Sequence, residues 1–226
     1  MNSTVNIAID GPAGAGKSTI ARRLAAEMGY IYVDTGALYR TVALHVVRHS
    51  VASDDVDAII GLLKDADVNI AYKNGEQRVI LNGEDVSELI RTPEISMMAS
   101  KVSAIPEVRT FLLGLQRKLA HENNVVMDGR DIATVVLPKA RVKIFLTASA
   151  EVRARRRYIE LLEKGTEVEF ETVLKEMIQR DEQDMNRAVA PLKPSEDSVI
   201  VDTSDVDLDG AVRLMREAVE LQLKKG

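Results

Sequence analysis

The sequence predicts an α/β fold in which a parallel sheet is covered by helices on both faces. Short β-branched runs alternate with helical patterns along the 226 residues, and those runs are mostly apolar. Nearly continuous apolar strands are typical of parallel sheets, because both faces of such a sheet are buried. The length is within reach of one domain, so we expect residues 1–226 to form one.

The predicted elements follow one another in a regular order. Five apolar runs are predicted to form the strands of the sheet, at 5–9, 30–33, 125–127, 142–146 and 199–201. Helical patterns are predicted at 18–28, 35–49 and 207–225, the last of them amphipathic. This alternation favours a layered arrangement with helices on either side of the strands.

Residues 66–92 break this alternation and are predicted to form a small antiparallel insert. Two Asn-Gly pairs, Asn74-Gly75 and Asn82-Gly83, separate short strand-like runs in this segment. Asn-Gly supplies the positive φ angles of tight hairpin turns, so the segment is predicted to fold as a meander.

The composition excludes several classes of function. Cysteine is absent, so the chain has no thiol nucleophile, iron–sulfur ligand or cysteine zinc site. The net charge of −5 and the low aromatic content of 4% argue against a nucleic-acid polymer as partner. Because neither a basic leader nor an apolar run of membrane length is visible, we expect a cytoplasmic protein with no membrane partner.

Arginine outnumbers lysine, with 18 residues against 12, although the chain is acidic overall. Arginine holds phosphate and carboxylate groups in a bidentate manner. The surplus therefore indicates local anion sites, although surface ion pairs would account for it as well.

A glycine-rich stretch between the first predicted strand and the first predicted helix matches the pattern G-x-x-x-x-G-K-[ST]. In such a P-loop, backbone N–H groups surround a phosphate, a lysine reaches the β- and γ-phosphates, and a hydroxyl binds Mg²⁺. Lys17 and Ser18 occupy those two positions. ATP and Mg²⁺ are therefore expected, and the residues expected to bind them are Gly11, Pro12, Ala13, Gly14, Ala15, Gly16, Lys17, Ser18 and Thr19.

Asp128 directly follows the apolar run 125–127, which places it at the carboxyl end of a parallel strand, beside the P-loop. It is a candidate to act on Mg²⁺ through a water molecule. Alternatively, Asp128 only begins a turn with Gly129. The sequence N-K-x-D, with which GTPase switches read guanine, does not occur, so a small-molecule kinase is favoured.

Four further motifs occur in a fixed order: IDGP at 9–12, DTGALYR at 34–40, DGRD at 128–131 and RDEQDMNRAVAPL at 180–192. With these motifs and the insert, the chain resembles the bacterial cytidylate kinases, a branch of the nucleoside monophosphate kinases. The resemblance implies transfer of the ATP γ-phosphoryl group to CMP and dCMP, which gives ADP and CDP or dCDP for pyrimidine metabolism. The implied partners are these small nucleotides, and we expect a monomer.

The resemblance also implies a role for individual residues around the acceptor. The acceptor phosphate is expected to contact Thr35, Arg40, Arg130 and Arg187, and the pentose Arg180 and Asp184. Cytosine is expected to be read by Ser100, Arg109 and Asp131. A carboxylate accepts from the N4 amino group of cytosine, and an arginine donates to its acceptor edge. Uracil carries a carbonyl at position four, so a buried carboxylate there should disfavour it.

Four of the five residues 153–157 are arginine, and this cluster resembles the family's short lid, expected at 153–165. Arg153 and Arg157 lie four apart on one helix face, so both are expected to face phosphate, with Arg155 in solvent. The expected catalytic residues are Lys17, Arg130, Arg153, Arg157 and Arg187.

Two other functions stay open on the sequence alone. One is a P-loop kinase for a different small metabolite, such as UMP. The other is a sensor that binds nucleotide without turnover, although the intact P-loop and arginine set favour an enzyme.

Overall fold

The computed structural model describes residues 4–224, so the predicted helix end at Lys225 and the predicted ends of the domain lie outside the described residues. The strands are β1 (Asn6–Asp10), β2 (Ile31–Asp34), β3 (Val68–Lys73), β4 (Glu76–Leu81), β5 (Glu84–Asp85), β6 (Val125–Gly129), β7 (Val142–Thr147) and β8 (Val199–Asp202). The α-helices are α1 (Lys17–Met28), α2 (Thr35–Arg48), α3 (Val56–Leu62), α4 (Pro93–Val102), α5 (Pro106–Glu122), α6 (Ala150–Glu163), α7 (Phe170–Asn186) and α8 (Leu208–Lys224).

Five of the strands form a parallel sheet in the order β2-β6-β1-β7-β8. Alternate residues of β1 show how the layers are built. Ile7 and Ile9 pack on one face against α1 and α8, and Ala8 packs on the other face, which α5 covers. The predicted parallel α/β fold with helices on both faces is therefore confirmed.

The remaining strands form an antiparallel sheet in the order β3-β4-β5. Both Asn-Gly pairs have positive φ at both residues, 54° and 78° in the first turn and 50° and 83° in the second. The predicted antiparallel insert is thus present, and Val68, Val79 and Leu81 of its strands share a core with α2, α4 and α5.

The order of the sheet brings the ends of three strands together. Since β1 lies between β6 and β7, and β2 pairs with β6, the carboxyl ends of β1, β2 and β6 open on one crevice. In open α/β sheets this is where ligands bind. None of the helices between residues 4 and 224 combines the length and the hydrophobicity needed to cross a bilayer.

Candidate active site

A cleft of about 690 Å³ lies at the carboxyl ends of the parallel strands. It brings together most of the residues expected to bind nucleotide. Residues 13–19 of the P-loop lie at one end, and the following predicted substrate residues also line the cleft: Thr35, Arg40, Ser100, Arg109, Arg130, Asp131, Arg180, Asp184 and Arg187. Gly11, Pro12 and Arg153 do not line it.

The P-loop joins β1 to α1, and its first glycine is required by close packing. A Cβ added to Gly11 would lie 1.9 Å from the carbonyl oxygen of Leu146 in β7. The loop ends at Gly16, which has a φ of 84° and is the N-cap of α1. The N–H groups at the beginning of α1 therefore point into the cleft, where they can bind an anion.

Lys17 is buried and folds back over the loop, and its Nζ atom donates to the carbonyl of Pro12 at 2.7 Å. Burial lowers the pKa of Lys17 to about 7, and repulsion from Arg130 adds to this effect. The ammonium group thus lies in a desolvated position in which a phosphate would stabilise its charge.

Asp128, at the end of β6, accepts two hydrogen bonds from side chains. The hydroxyl of Ser18 donates to one carboxylate oxygen at 3.0 Å, and the hydroxyl of Tyr32 donates to the other at 2.8 Å. Burial, with repulsion from Asp34, raises the pKa of Asp128. The negative charge of the Asp128 carboxylate is therefore poorly compensated by its surroundings. A divalent cation near Ser18 would compensate it.

Arg40 reaches the cleft from α2 and is held by the residue that caps the same helix. Asp34 accepts from the N–H of Ala37 at 2.9 Å and from the guanidinium of Arg40 at 2.9 Å. Gly36 leaves room for this pair, because a Cβ there would lie 3.1 Å from Asp34 and 3.2 Å from Arg40. Thr35 is buried and donates to the carbonyl of Asp128 at 2.8 Å, so its hydroxyl must rotate to contact a phosphate.

Arg109 and Asp131 form a buried ion pair at the far end of the cleft. Arg109 also lies over the ring of Tyr39, with its Cζ atom 5.6 Å from the ring centroid. Asp10 fixes the loop after Asp131, because its two carboxylate oxygens accept from the N–H groups of Ile132 and Ala133, each at 2.7 Å. Burial raises the pKa of Asp10 to about 6.

Three further arginines lie between the P-loop and this pair. Arg130 donates to Asp184 at 2.9 Å, and the charge of Arg130 lowers the pKa of Asp184 although burial acts to raise it. Arg187 lies 3.8 Å from Asp131, and its Nη2 atom is buried without a hydrogen bond. Arg180 likewise has an unsatisfied Nε atom, and burial and repulsion from Arg130 lower its pKa. These unsatisfied donors provide a site for an anionic ligand.

The expectation that Arg153 faces phosphate does not fit its position. Its side chain is 5% exposed and donates to the carbonyls of Ala148 and Ala13 and, at 2.6 Å, to Asp181. Arg153 lies in the first turn of α6, where the helix packs against the P-loop and α7. The guanidinium therefore supports the P-loop from behind instead of entering the cleft.

The other lid arginines lie one turn further along α6. Arg156 and Arg157 both line the cleft. Arg156 donates to the carbonyl of Thr203 at 2.8 Å, whereas Arg157 contacts only Glu160 among the acidic residues described. Arg155 is exposed, as expected, and lies over the ring of Phe170.

Sequence reasoning missed several residues that complete the site. Tyr32 and Tyr39 lie within the strand and helix that carry the phosphate-binding motif, but their aromatic side chains gave no chemical signal. The segment after β8 was also missed, although Val206, Asp207 and Leu208 line the cleft next to Arg156. Asp10 and Tyr39 were each part of a recognised motif, IDGP and DTGALYR, without a role assigned to them.

The fold and the cleft define a P-loop protein in which a group of arginines lines the same cleft as the loop, an arrangement suited to phosphoryl transfer. A family model described as "Cytidylate kinase" matches residues 7–221. The chain belongs to the cytidylate kinase family, as the sequence motifs predict.

Individual relatives agree with this membership. A cytidylate kinase of Caldanaerobacter subterraneus subsp. tengcongensis is 51% identical over 224 residues, which is 99% of this chain and 98% of that protein. A cytidylate kinase of Carboxydothermus hydrogenoformans is 50% identical over 215 residues, 95% of this chain and 97% of that protein. Among solved structures, an uncharacterized protein from Eubacterium ventriosum shares the fold, with a TM-score of 0.54 at 14% identity and coverage of 96% and 99%.

Proposed function

We propose that this chain transfers the γ-phosphoryl group of ATP to CMP and dCMP, which gives ADP and CDP or dCDP. The observation that carries the proposal is the buried Arg109–Asp131 pair at the opposite end of the cleft from the P-loop. This pair presents a donor and an acceptor side by side, which matches the edge of cytosine. The arginines between the two ends are suited to the phosphates of both substrates.

The acceptor phosphate would lie among Arg40, Arg130 and Arg187. Three guanidinium groups neutralise its charge and orient its oxygen for attack on the γ-phosphorus of ATP. The acceptor oxygen is already anionic at neutral pH, so no general base is needed. Arg180 and Asp184 then lie where the pentose joins the phosphate to the base, and Ser100 lies with the base.

The donor phosphates would be held by the P-loop N–H groups and by Lys17. Mg²⁺ bound with ATP neutralises charge on the β- and γ-phosphates. The residues that would hold it are Ser18, through its hydroxyl, and Asp128, through water. The raised pKa of Asp128 supports this assignment, because a desolvated carboxylate is stabilised by a nearby cation.

The arginines of the lid would supply further positive charge around the phosphates of the donor nucleotide. Arg157 is the residue we assign to the transferred phosphoryl group, because it lines the cleft and its partner Glu160 is half exposed. The guanidinium of Arg156 is held by the carbonyl of Thr203, beside the segment 206–208. Arg156 would therefore contact the end of the donor nucleotide that lies away from the transferred phosphoryl group. The cytoplasmic location and the monomeric state stay predictions.

The experiment that tests the function supplies ATP and Mg²⁺ with CMP, dCMP, UMP, AMP or shikimate and follows ADP release. We expect rapid turnover with CMP and dCMP and much slower turnover with the other acceptors. Equal kcat/KM for UMP would contradict the cytosine assignment and favour a pyrimidine kinase of broader range. Absence of ADP with every acceptor would favour a nucleotide sensor.

ATP binding should draw about one proton into the protein near pH 8. Because the pKa of Lys17 is about 7 in the empty cleft, the amine is mostly neutral at that pH, and anionic phosphates raise its pKa so that the bound form is protonated. Calorimetry with a non-hydrolysable ATP analogue, in two buffers of different ionisation enthalpy, measures this uptake.

The matched control for proton uptake is Lys17→Arg, which keeps the charge but does not lose a proton in this range. We expect its binding enthalpy to be the same in both buffers. Proton uptake that persists in this variant would show that a group other than Lys17 titrates.

A further inference from the structure

The outer edge of β2 is covered by two side chains of the insert. β2 is the edge strand of the parallel sheet, so its outward N–H and C=O groups have no neighbouring strand. The amide of Gln77 in β4 accepts from the N–H of Asp34 at 2.8 Å and donates to the carbonyl of the same residue at 3.3 Å. The hydroxyl of Tyr72 in β3 donates to the carbonyl of Tyr32 at 3.0 Å.

The two contacts differ in what lies beyond them. The Tyr72 contact holds one carbonyl in the middle of β2, on Tyr32, whose side chain contacts Asp128 and not the phosphate-binding arginines. The Gln77 contact holds both backbone polar groups of Asp34, whose carboxylate in turn accepts from Arg40 and caps α2. A continuous chain of hydrogen bonds thus runs from the insert to a guanidinium that lines the cleft.

We propose that Gln77 is a positioning residue for the acceptor phosphate, acting through Asp34 on Arg40. The inference rests on the proposed function, since it names the group that fixes one of the three phosphate-binding arginines. Gln77 itself does not line the cleft, so a direct contact with substrate is not expected.

The position of Asp34 is sensitive to this contact. Asp34 is at once the last residue of β2 and the N-cap of α2, so its backbone must turn there, with a φ of −82° and a ψ of 98°. The Asp34 side chain is 15% exposed. One of its carboxylate oxygens accepts from the N–H of Ala37, and the other accepts from the guanidinium of Arg40. A shift of the Asp34 backbone therefore moves the cap of α2 and the guanidinium of Arg40 together. Displacement of a substrate-binding group by about 1 Å is enough to lower catalytic efficiency strongly.

The test is the steady-state kinetics of Gln77→Ala with Tyr72→Phe as the matched control. Both variants remove an insert contact to the edge of β2, but only the first loosens Asp34. We expect Gln77→Ala to raise KM for CMP about tenfold, with KM for ATP within twofold of the wild type. Tyr72→Phe should leave both KM values within about twofold.

A double substitution separates positioning from support of the fold. In an Arg40→Ala background, where the guanidinium is absent, Gln77→Ala should change the dissociation constant for CMP by less than about twofold. If Gln77→Ala changed the dissociation constant for CMP by the same factor in both backgrounds, the proposal would be overturned. Equal effects of Gln77→Ala and Tyr72→Phe on KM for CMP would overturn it as well. Should Gln77→Ala fail to fold, Gln77→Asn keeps the amide but is one methylene too short to bridge both groups.

Failure of the proposed function has a separate signature. If wild-type protein binds CMP in calorimetry but releases no ADP from ATP, the kinase assignment falls, while the dissociation constants still test Gln77. If wild-type protein turns over CMP and Gln77→Ala matches it in KM, only the positioning role falls.

Discussion

Replacement of Arg157 by methionine should lower kcat by about 1,000-fold, while the free energy of unfolding stays nearly unchanged. Arg157 is the lid arginine that lines the cleft without a buried partner, so its removal takes away charge stabilisation in the transition state alone. Single-turnover kinetics at saturating ATP and CMP, together with urea unfolding, provide the measurement.

Arg153→Met is the control with the opposite expected profile. Its guanidinium is buried against Asp181, and its loss leaves a carboxylate unpaired in the protein interior. Removal of one partner from a buried pair costs about 3–5 kcal/mol of stability. A large loss of kcat in Arg153→Met with unchanged stability, and normal turnover by Arg157→Met, would reverse our assignment of the two residues.

Asp131→Asn should reduce the preference for CMP over UMP by at least about 100-fold. The carboxylate of Asp131 only accepts, which matches the N4 amino group of cytosine and opposes the O4 carbonyl of uracil. The asparagine amide can present its N–H₂ group instead, so uracil becomes acceptable while cytosine loses a charge-assisted hydrogen bond. The measurement is the ratio of kcat/KM values for the two acceptors.

Asp184→Asn provides the comparison for this experiment. Asp184 also pairs with an arginine in the cleft, but that arginine is Arg130, and neither partner forms an ion pair with Arg109 or Asp131. We expect both acceptors to lose activity in parallel, which leaves the ratio within about threefold of the wild type. A ratio that falls as much as in Asp131→Asn would remove the basis for base reading by Asp131.

The fold was largely predictable because its signals are local. Each strand of the parallel sheet is an apolar run that leads into a helical or loop segment, and the Asn-Gly pairs specify hairpin turns by their backbone preferences alone. The surplus of arginine also had a structural cause. Seven of the arginines described line the cleft: Arg40, Arg109, Arg130, Arg156, Arg157, Arg180 and Arg187.

The parts that escaped prediction depend on how distant segments meet. A helical period shows that Arg153 and Arg157 share a face, but not that the first turn of α6 is covered by the P-loop. Gln77 gave no signal, because a polar residue in a hairpin strand has no identifiable role until the strand that it contacts is known. For the same reason, the role of Asp10 depends on a contact with residues more than 120 positions later.

The order of the parallel sheet also determines the order in which the molecule can assemble during synthesis. Among the strands between residues 4 and 224, β1 pairs only with β6 and β7, so the P-loop strand has no neighbouring strand until the ribosome has passed residue 125. At roughly 5–20 residues per second this delay lasts about 6 to 23 seconds. The core shared by the insert, α2, α4 and α5 is drawn entirely from residues 37–115, so it can collapse in that interval. The part that contains the insert, α2, α4 and α5 is therefore expected to be the template on which β1, the P-loop and α1 complete their folding.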